Sequence, residues 1–223
     1  MTASKNATDR LGHLAAVLTA PAAASSAQRV VVSSGDAAPA RPRARSLGIW
    51  PGSLPTGQHN AITDVPGVLV GQVTLLSEDG STVHTGGTAV LPHAGSLYAD
   101  KVPAAAVVGN GYGKLVGTTQ IDELGEIETP LLLTNTLAVG NGMQAVIDHT
   151  LSQPGNEGVR SVNAVVGETN DGGLNDIRSH YNLTPQILRQ AIDTAKGGPV
   201  SEGAVGAVRL RCVTAWPCLH AAA

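Results

Sequence analysis

The sequence predicts a layered α/β sandwich, with helices packed against a mixed sheet. Short β-branched and apolar runs bounded by Gly and Pro recur between Val68 and Val166, which is the mark of buried strands. Segments near Val139 and Ile187 carry apolar residues at helical spacing instead. Strands and helices mix without the strict alternation of a doubly wound sheet, and this favours the layered arrangement. At 223 residues a sizeable core is feasible, and with no Phe and only 2% aromatics it must be built from Val, Leu, Ile and Ala.

Charge names no macromolecular partner. The formal net charge is -3, 14% of residues are charged and no Lys/Arg run stands out, so neither nucleic acid nor a membrane surface is expected. No segment has the unbroken apolar length of a transmembrane helix. Cys212 and Cys218 have a spacing that fits neither a zinc knuckle nor a redox pair and read as incidental. A metal role for Trp216, Cys218 and His220 is not expected, and no cofactor is implied.

Taken in order, residues 1–44 are rich in Ala, Ser, Pro and Arg, lack either amphipathic period and are expected to lie outside the fold. Within them, Lys5 and Arg10 precede the apolar run Leu11 to Ala20, and small residues follow from Ala22 to Ala27, the outline of a secretory signal interrupted by His13 and Pro21. A disordered extension is the competing reading, so a cytoplasmic location and a periplasmic or secreted one both stay open. Order is expected from Arg45, through a lead-in turned by Pro51, Gly52, Pro55 and Gly57, to a strand over Val68 to Leu75. Further strands are expected at Thr85 to Leu91, at Ala104 to Gly109, at Leu131 to Thr136 and at Val162 to Val166. A helix is expected over Val139 to Leu151, and a second where the hydroxyl cap Thr184 precedes Pro185, ending at Lys196-Gly197. The loop Asn110-Gly111-Tyr112-Gly113-Lys114 follows a predicted strand, but it has the spacing of neither a dinucleotide nor a P-loop phosphate motif.

One stretch concentrates polar chemistry. From Val165 to Ile177 the chain runs out of a strand into a turn in which Glu168, Asn170, Asp171, Asn175 and Asp176 fall within nine residues. Such side chains serve a substrate, or they simply satisfy a turn, since Asn and Asp tolerate left-handed backbone and bond to it. Asn135, at the end of another predicted strand, either caps the following helix or faces a ligand.

Several separated segments together carry a resemblance. The lead-in Arg45-Ser46-Leu47-Gly48-Ile49, the run Asn60 to Val68, the segment Pro130-Leu131-Leu132-Leu133-Thr134-Asn135-Thr136, the polar stretch above and Lys196-Gly197-Gly198-Pro199-Val200-Ser201-Glu202-Gly203 resemble the L-aminopeptidase/D-esterase (DmpA-like) family, which includes β-peptidyl aminopeptidases. The resemblance covers about Arg45 to Ala207. It implies an N-terminal-nucleophile hydrolase of αββα architecture, of which residues 45–207 form the N-terminal, α-subunit-like part, an incomplete sandwich. It further implies a precursor that cuts itself before a Ser or Thr, which then acts as nucleophile with its own α-amine as base. Asn175 matches the oxyanion-stabilising asparagine, and Asn135 and Tyr112 are implied as pocket wall. The expected substrates are small peptides, amino-acid amides or esters, and a homo-oligomer is consistent with the family.

The chain departs from that pattern after Ala207. Residues 208–223 read as a non-family tail, and Arg209 occupies the nucleophile position, where arginine can neither attack a carbonyl nor support an acyl shift. Reading the codons of Val208 to Trp216 one base earlier permits Gly and then Ser or Thr at 208 and 209, so a frameshift or truncation is the expected cause. Three functions follow: the N-terminal part of an aminopeptidase, inactive as written; a pseudoenzyme or binding protein that keeps the pocket; and an acyltransferase of the ornithine acetyltransferase type.

Overall fold

A computed structural model describes residues 28–33, 42–50, 52–77, 83–109, 111–173 and 175–207. In chain order the strands and helices are β1 Gln28–Ser33, β2 Leu69–Ser77, β3 His84–Leu91, β4 Val102–Pro103, β5 Leu115–Val116, α1 Thr118–Leu124, β6 Glu126–Ile127, β7 Leu131–Asn135, α2 Val139–Leu151, β8 Val165–Thr169 and α3 Pro185–Asp193. Six strands form one sheet in the order β1-β2-β3-β7-β8-β5, while β4 and β6 make a two-stranded ribbon. The sheet is mixed: β7 and β8 are parallel, joined by the crossover through α2, and the other neighbours are antiparallel.

Period-two alternation sorts this sheet into unlike faces. Gly71, Val73 and Leu75 of β2 share one face with Gly87 and Ala89 of β3, Leu132 of β7 and Val166 of β8. That face is apolar, and with Leu188, Ala191 and Ile192 of α3 and Ala145 and Val146 of α2 it forms the main core. The opposite face changes character along its length. Val165, Leu131 and Leu115 pack under Ile121 and Ile127 at one end. At the other end the face carries Thr74, Thr88, Asn135 and Thr169, against which the chain lays its last described residues, Gly206 and Ala207.

Helix α3 follows its sequence signals at the start, where Thr184 Oγ1 accepts from Ile187 N at 3.3 Å and Pro185 takes the first turn. The helix then rests on the sheet through glycine. A Cβ built on Gly71 would stand 1.9 Å from Ala191 O and 2.9 Å from Ala195 N, so strand and helix touch backbone to backbone. Gly71→Ala therefore pushes α3 off the sheet, at the upper end of overpacking costs, about 3 kcal/mol, and the melting midpoint should fall by roughly 6–12 °C. Gly140→Ala, whose Cβ would meet nothing within 4 Å, is the comparison and should raise it slightly. An equal response of the two variants in thermal unfolding would refute this account of the contact.

Four expectations are corrected. Ala104 to Gly109 is not a strand buried on both faces: Val107 and Val108 are 65% and 69% exposed, and the strand that pairs with β6 is Val102–Pro103. Pro103 has no N–H for a longer ladder, and beyond Ala104, which donates to Gly125 O at 2.8 Å, the segment leaves its partner. Gln28–Ser33, expected outside the fold, pairs antiparallel with β2. The strand before the polar stretch is shifted to Val165–Thr169, carrying Glu168 and Thr169 onto the sheet. Helix α3 closes at Thr194 rather than Lys196-Gly197, because Lys196 instead exchanges backbone bonds with Val70 at 3.0 and 3.1 Å. The seven-residue α1 was not foreseen, although the left-handed Gly117 and Gly125 that bracket it (φ 91° and 67°) were legible punctuation.

Candidate active site

The polar stretch lies where three strands bring their ends together. β7 closes on Asn135 beside Thr169 of β8, and the loop after Thr169 folds back onto His84 and Thr85 at the start of β3. At its centre is Asp171, only 2% exposed. One carboxylate oxygen accepts from Thr85 Oγ1 at 2.5 Å and the other from Asn135 Nδ2 at 2.7 Å. Burial pushes the Asp171 carboxyl above its ordinary range, while bonds from Thr85, the nearby Asn175 amide, its own backbone and Asn135 oppose the shift.

Asn175 begins one turn further on, with its N–H donating to Asp171 O at 3.0 Å. Its side chain is 5% exposed, and its Oδ1 accepts from His84 N at 2.8 Å and Ser179 Oγ at 3.2 Å. Because a backbone N–H can only donate, the oxygen of the amide must face His84, and this settles the orientation of the group. Nδ2 then points elsewhere and has no acceptor in hydrogen-bond geometry among the described residues. Its nearness to Asp171 favours the ionised carboxylate without forming a bond. A buried amide donor without a partner costs stability, and a site that uses the donor intermittently is one reason to retain it.

Asn135 resolves its two sequence readings differently from either alone. Its Oδ1 accepts from Leu137 N at 2.8 Å, which shapes the turn into α2, although Ala138 takes the cap position itself. Its Nδ2 is committed to Asp171, and the residue is fully buried. Asn135 and Asn175 therefore meet through Asp171. Tyr112 is 83% exposed, with its ring 4.9 Å from Lys114 Nζ. Lys114 in turn pairs with Glu168 Oε2 at 3.1 Å, an oxygen that also accepts from Thr136 Oγ1, so Lys114 links Tyr112 to this end of the sheet. Arg209 lies outside the described residues, as do Cys212, Trp216, Cys218 and His220.

The sequence reading did not single out Asp171, Thr85 or Ser179. Asp171 was one of three carboxylates in the stretch, and nothing local distinguishes it from Asp176, which is exposed and caps the next turn by accepting from Arg178 N at 3.0 Å. Among the described residues no group of three or more His, Cys, Asp or Glu side chains is placed to hold a metal ion. A small cavity lined by Leu97, Glu128, His149 and Asn156 shares no residue with the cluster.

Comparison with solved structures places this architecture among hydrolases of the N-terminal-nucleophile (Ntn) fold. The L-aminopeptidase D-Ala-esterase/amidase of Ochrobactrum anthropi, described as a prototype for serine aminopeptidases and a variant of the Ntn hydrolase fold, superposes with a TM-score of 0.65 at 36% identity, over 74% of this chain and 48% of that one. A Pyrococcus horikoshii OT3 protein superposes with a TM-score of 0.68 at 45% identity, over 74% of this chain and 49% of that one. Within that class the chain belongs to peptidase family S58, whose profile matches residues 60–212. The β-peptidyl aminopeptidase BapA of Sphingosinicella xenopeptidilytica is 42% identical over 174 residues, 75% of this chain and 42% of its own length. The chain thus spans less than half the length of the curated relatives it matches.

Proposed function

We propose that the chain is the N-terminal part of a serine/threonine-type aminopeptidase that hydrolyses an amide or ester bond next to a free amino terminus. The observation that carries this reading is the buried Asn175 amide, whose oxygen is held by His84 N and Ser179 while its N–H donors are left unpaired. A donor fixed from behind and unsatisfied in front is what an oxyanion site needs, because it is already oriented when charge develops on the attacked carbonyl oxygen. The relatives support the substrate class, since their names specify β-peptidyl substrates, L-amino-acid substrates and D-Ala esters or amides. Asn135 then acts on the pocket through Asp171 from its buried position, and Tyr112 from the rim. Assembly into a homo-oligomer belongs to the same reading.

The nucleophile is the hydroxyl residue that members of such a lineage carry where this chain has Arg209, so the chain as written is read as inactive. A chain carrying Val208→Gly and Arg209→Ser, extended by the downstream half of a family member, should separate into two chains between residues 208 and 209. It should then release the leaving group from an amino-acid anilide. The chain as written should do neither. Self-cleavage or peptidase activity in the unaltered chain would refute its inactivity, and a restored chain that is processed but hydrolyses no amide or ester would refute the aminopeptidase reading. Arg209 also favours a second reading, a pseudoenzyme that keeps the pocket as a binding site, and a restored chain that binds amino-acid amides without turnover would establish it.

A further inference from the structure

Gly206 and Ala207 are buried on the polar half of the sheet, Ala207 to 1% exposure, although Glu202 and Gly203 just before them are exposed. They are held by side chains from three strands. Gly206 N donates to Thr74 Oγ1 of β2 at 2.8 Å, Ala207 N donates to Thr88 Oγ1 of β3 at 3.1 Å, and Thr169 Oγ1 of β8 donates to Ala207 O at 2.5 Å. Thr169 also lies 3.1 Å from Thr134 O, but one hydroxyl carries one proton, and the shorter contact is the one to Ala207. The fit excludes side chains. A Cβ on Gly206 would stand 2.2 Å from Thr88 Oγ1, and a Cβ on Gly86 would stand 2.5 Å from Gly206 O. Gly206 also takes a left-handed φ of 70° that only glycine adopts freely. A segment that merely trailed from the fold would need neither the three hydroxyls nor a glycine at 206.

We propose that Thr74, Thr88 and Thr169 form a cradle that positions the backbone for self-cleavage, gripping the peptide units on either side of Ala207 immediately before the bond to be cut. The inference rests on the hydrolase reading above and names positioning residues for its processing step. In that step the hydroxyl oxygen of a Ser at 209 adds to the carbonyl carbon of residue 208. The C–N bond between them breaks as the hydroxyl proton passes to the amine, and water then hydrolyses the ester, leaving a carboxylate on residue 208 and restoring the hydroxyl. A small displacement of the acyl side is costly in such an intramolecular attack, which depends on close alignment of the reacting atoms. By pinning the N–H and C=O of Ala207 at once, the cradle removes the rotation that would cause that displacement.

The test has two arms. In the chain as it stands, Thr88→Val, which keeps the β-branch and loses the acceptor, should accelerate hydrogen exchange at the Ala207 amide by about tenfold, leave Leu132 unchanged, and be reversed by Thr88→Ser. In the restored, extended chain, Thr88→Val and Thr169→Val should each slow the appearance of two chains by at least about tenfold, with the Ser variants cleaving near the parent rate. Unchanged exchange at Ala207 overturns the cradle. A parent that cleaves, with both Val variants cleaving equally fast, overturns the positioning role alone. A parent that never cleaves overturns the hydrolase reading and the positioning role with it, while the exchange data still decide whether the segment is held.

Discussion

Asn175→Ala in the restored enzyme is expected to lower turnover by a factor of about a hundred, on the order of 3 kcal/mol, while KM changes little. The asymmetry follows from when the interaction forms. The Nδ2 donor has no partner among the described residues, so in the proposed role its bond is made as negative charge gathers on the attacked carbonyl oxygen, and ground-state binding should lose little when it is removed. The substitution also removes the oxygen that accepts from His84 N and Ser179, which should cost roughly 1–2 kcal/mol of stability. Stability loss alone therefore does not separate a catalytic amide from one that only secures the loop. Turnover per correctly processed molecule does, and near-normal turnover with a depressed melting midpoint would reject the catalytic role.

Asp171→Leu should lower stability by roughly 3 kcal/mol or more, because the Asn135 amide and the Thr85 hydroxyl lose their shared acceptor in a buried site. Asp171→Asn should cost far less, since an amide oxygen can still accept from Asn135 and its N–H₂ can donate to Thr85. The two variants also differ in pH dependence. The Asp171 carboxyl is raised by burial above its ordinary value of 3.8, so the folded chain keeps this proton over a pH range in which the unfolded chain has lost it. In that window the native state binds more protons, the slope of unfolding free energy against pH is negative, and stability falls as pH rises from 3.8 through the raised value. Melting curves of the parent and Asp171→Asn from about pH 4 upward should therefore converge or cross, with the parent losing ground as pH rises. Parallel curves, or a parent that gains on the variant with pH, would refute this.

Much of the fold was legible because its signals are local. Thr184 before Pro185 marks a helix start within one turn of chain, and the β-branched runs at Val68 and Thr85 declare strands over a handful of residues. Asn175 was named as a site candidate through the family resemblance, and Asn135 through its place at a strand end together with that resemblance, both of which a linear chain records. The readings that failed were of partnership. Ala104 to Gly109 has the composition of a strand, but the strand that forms there is Val102–Pro103, and Gln28–Ser33 has the neighbour, β2, that its surroundings in the sequence do not announce.

By itself, then, the sequence determined the layered α/β class, the approximate bounds of β2, β3, β7 and α2, the start of α3 and the family resemblance. Only the tertiary structure decided which polar groups lose water and whom they meet. Asp171 becomes the centre of the site because Thr85, 86 residues away, and Asn135, 36 residues away, close over it, while the near-identical Asp176 five positions on stays in solvent. The same holds for the orphaned amide of Asn175, which depends on His84, and for Ala207, gripped by Thr88 from 119 residues earlier. The reason is physical: helix and turn propensities are set by neighbours a few bonds apart, whereas desolvation and hydrogen-bond satisfaction are set by whatever the folded sheet brings alongside.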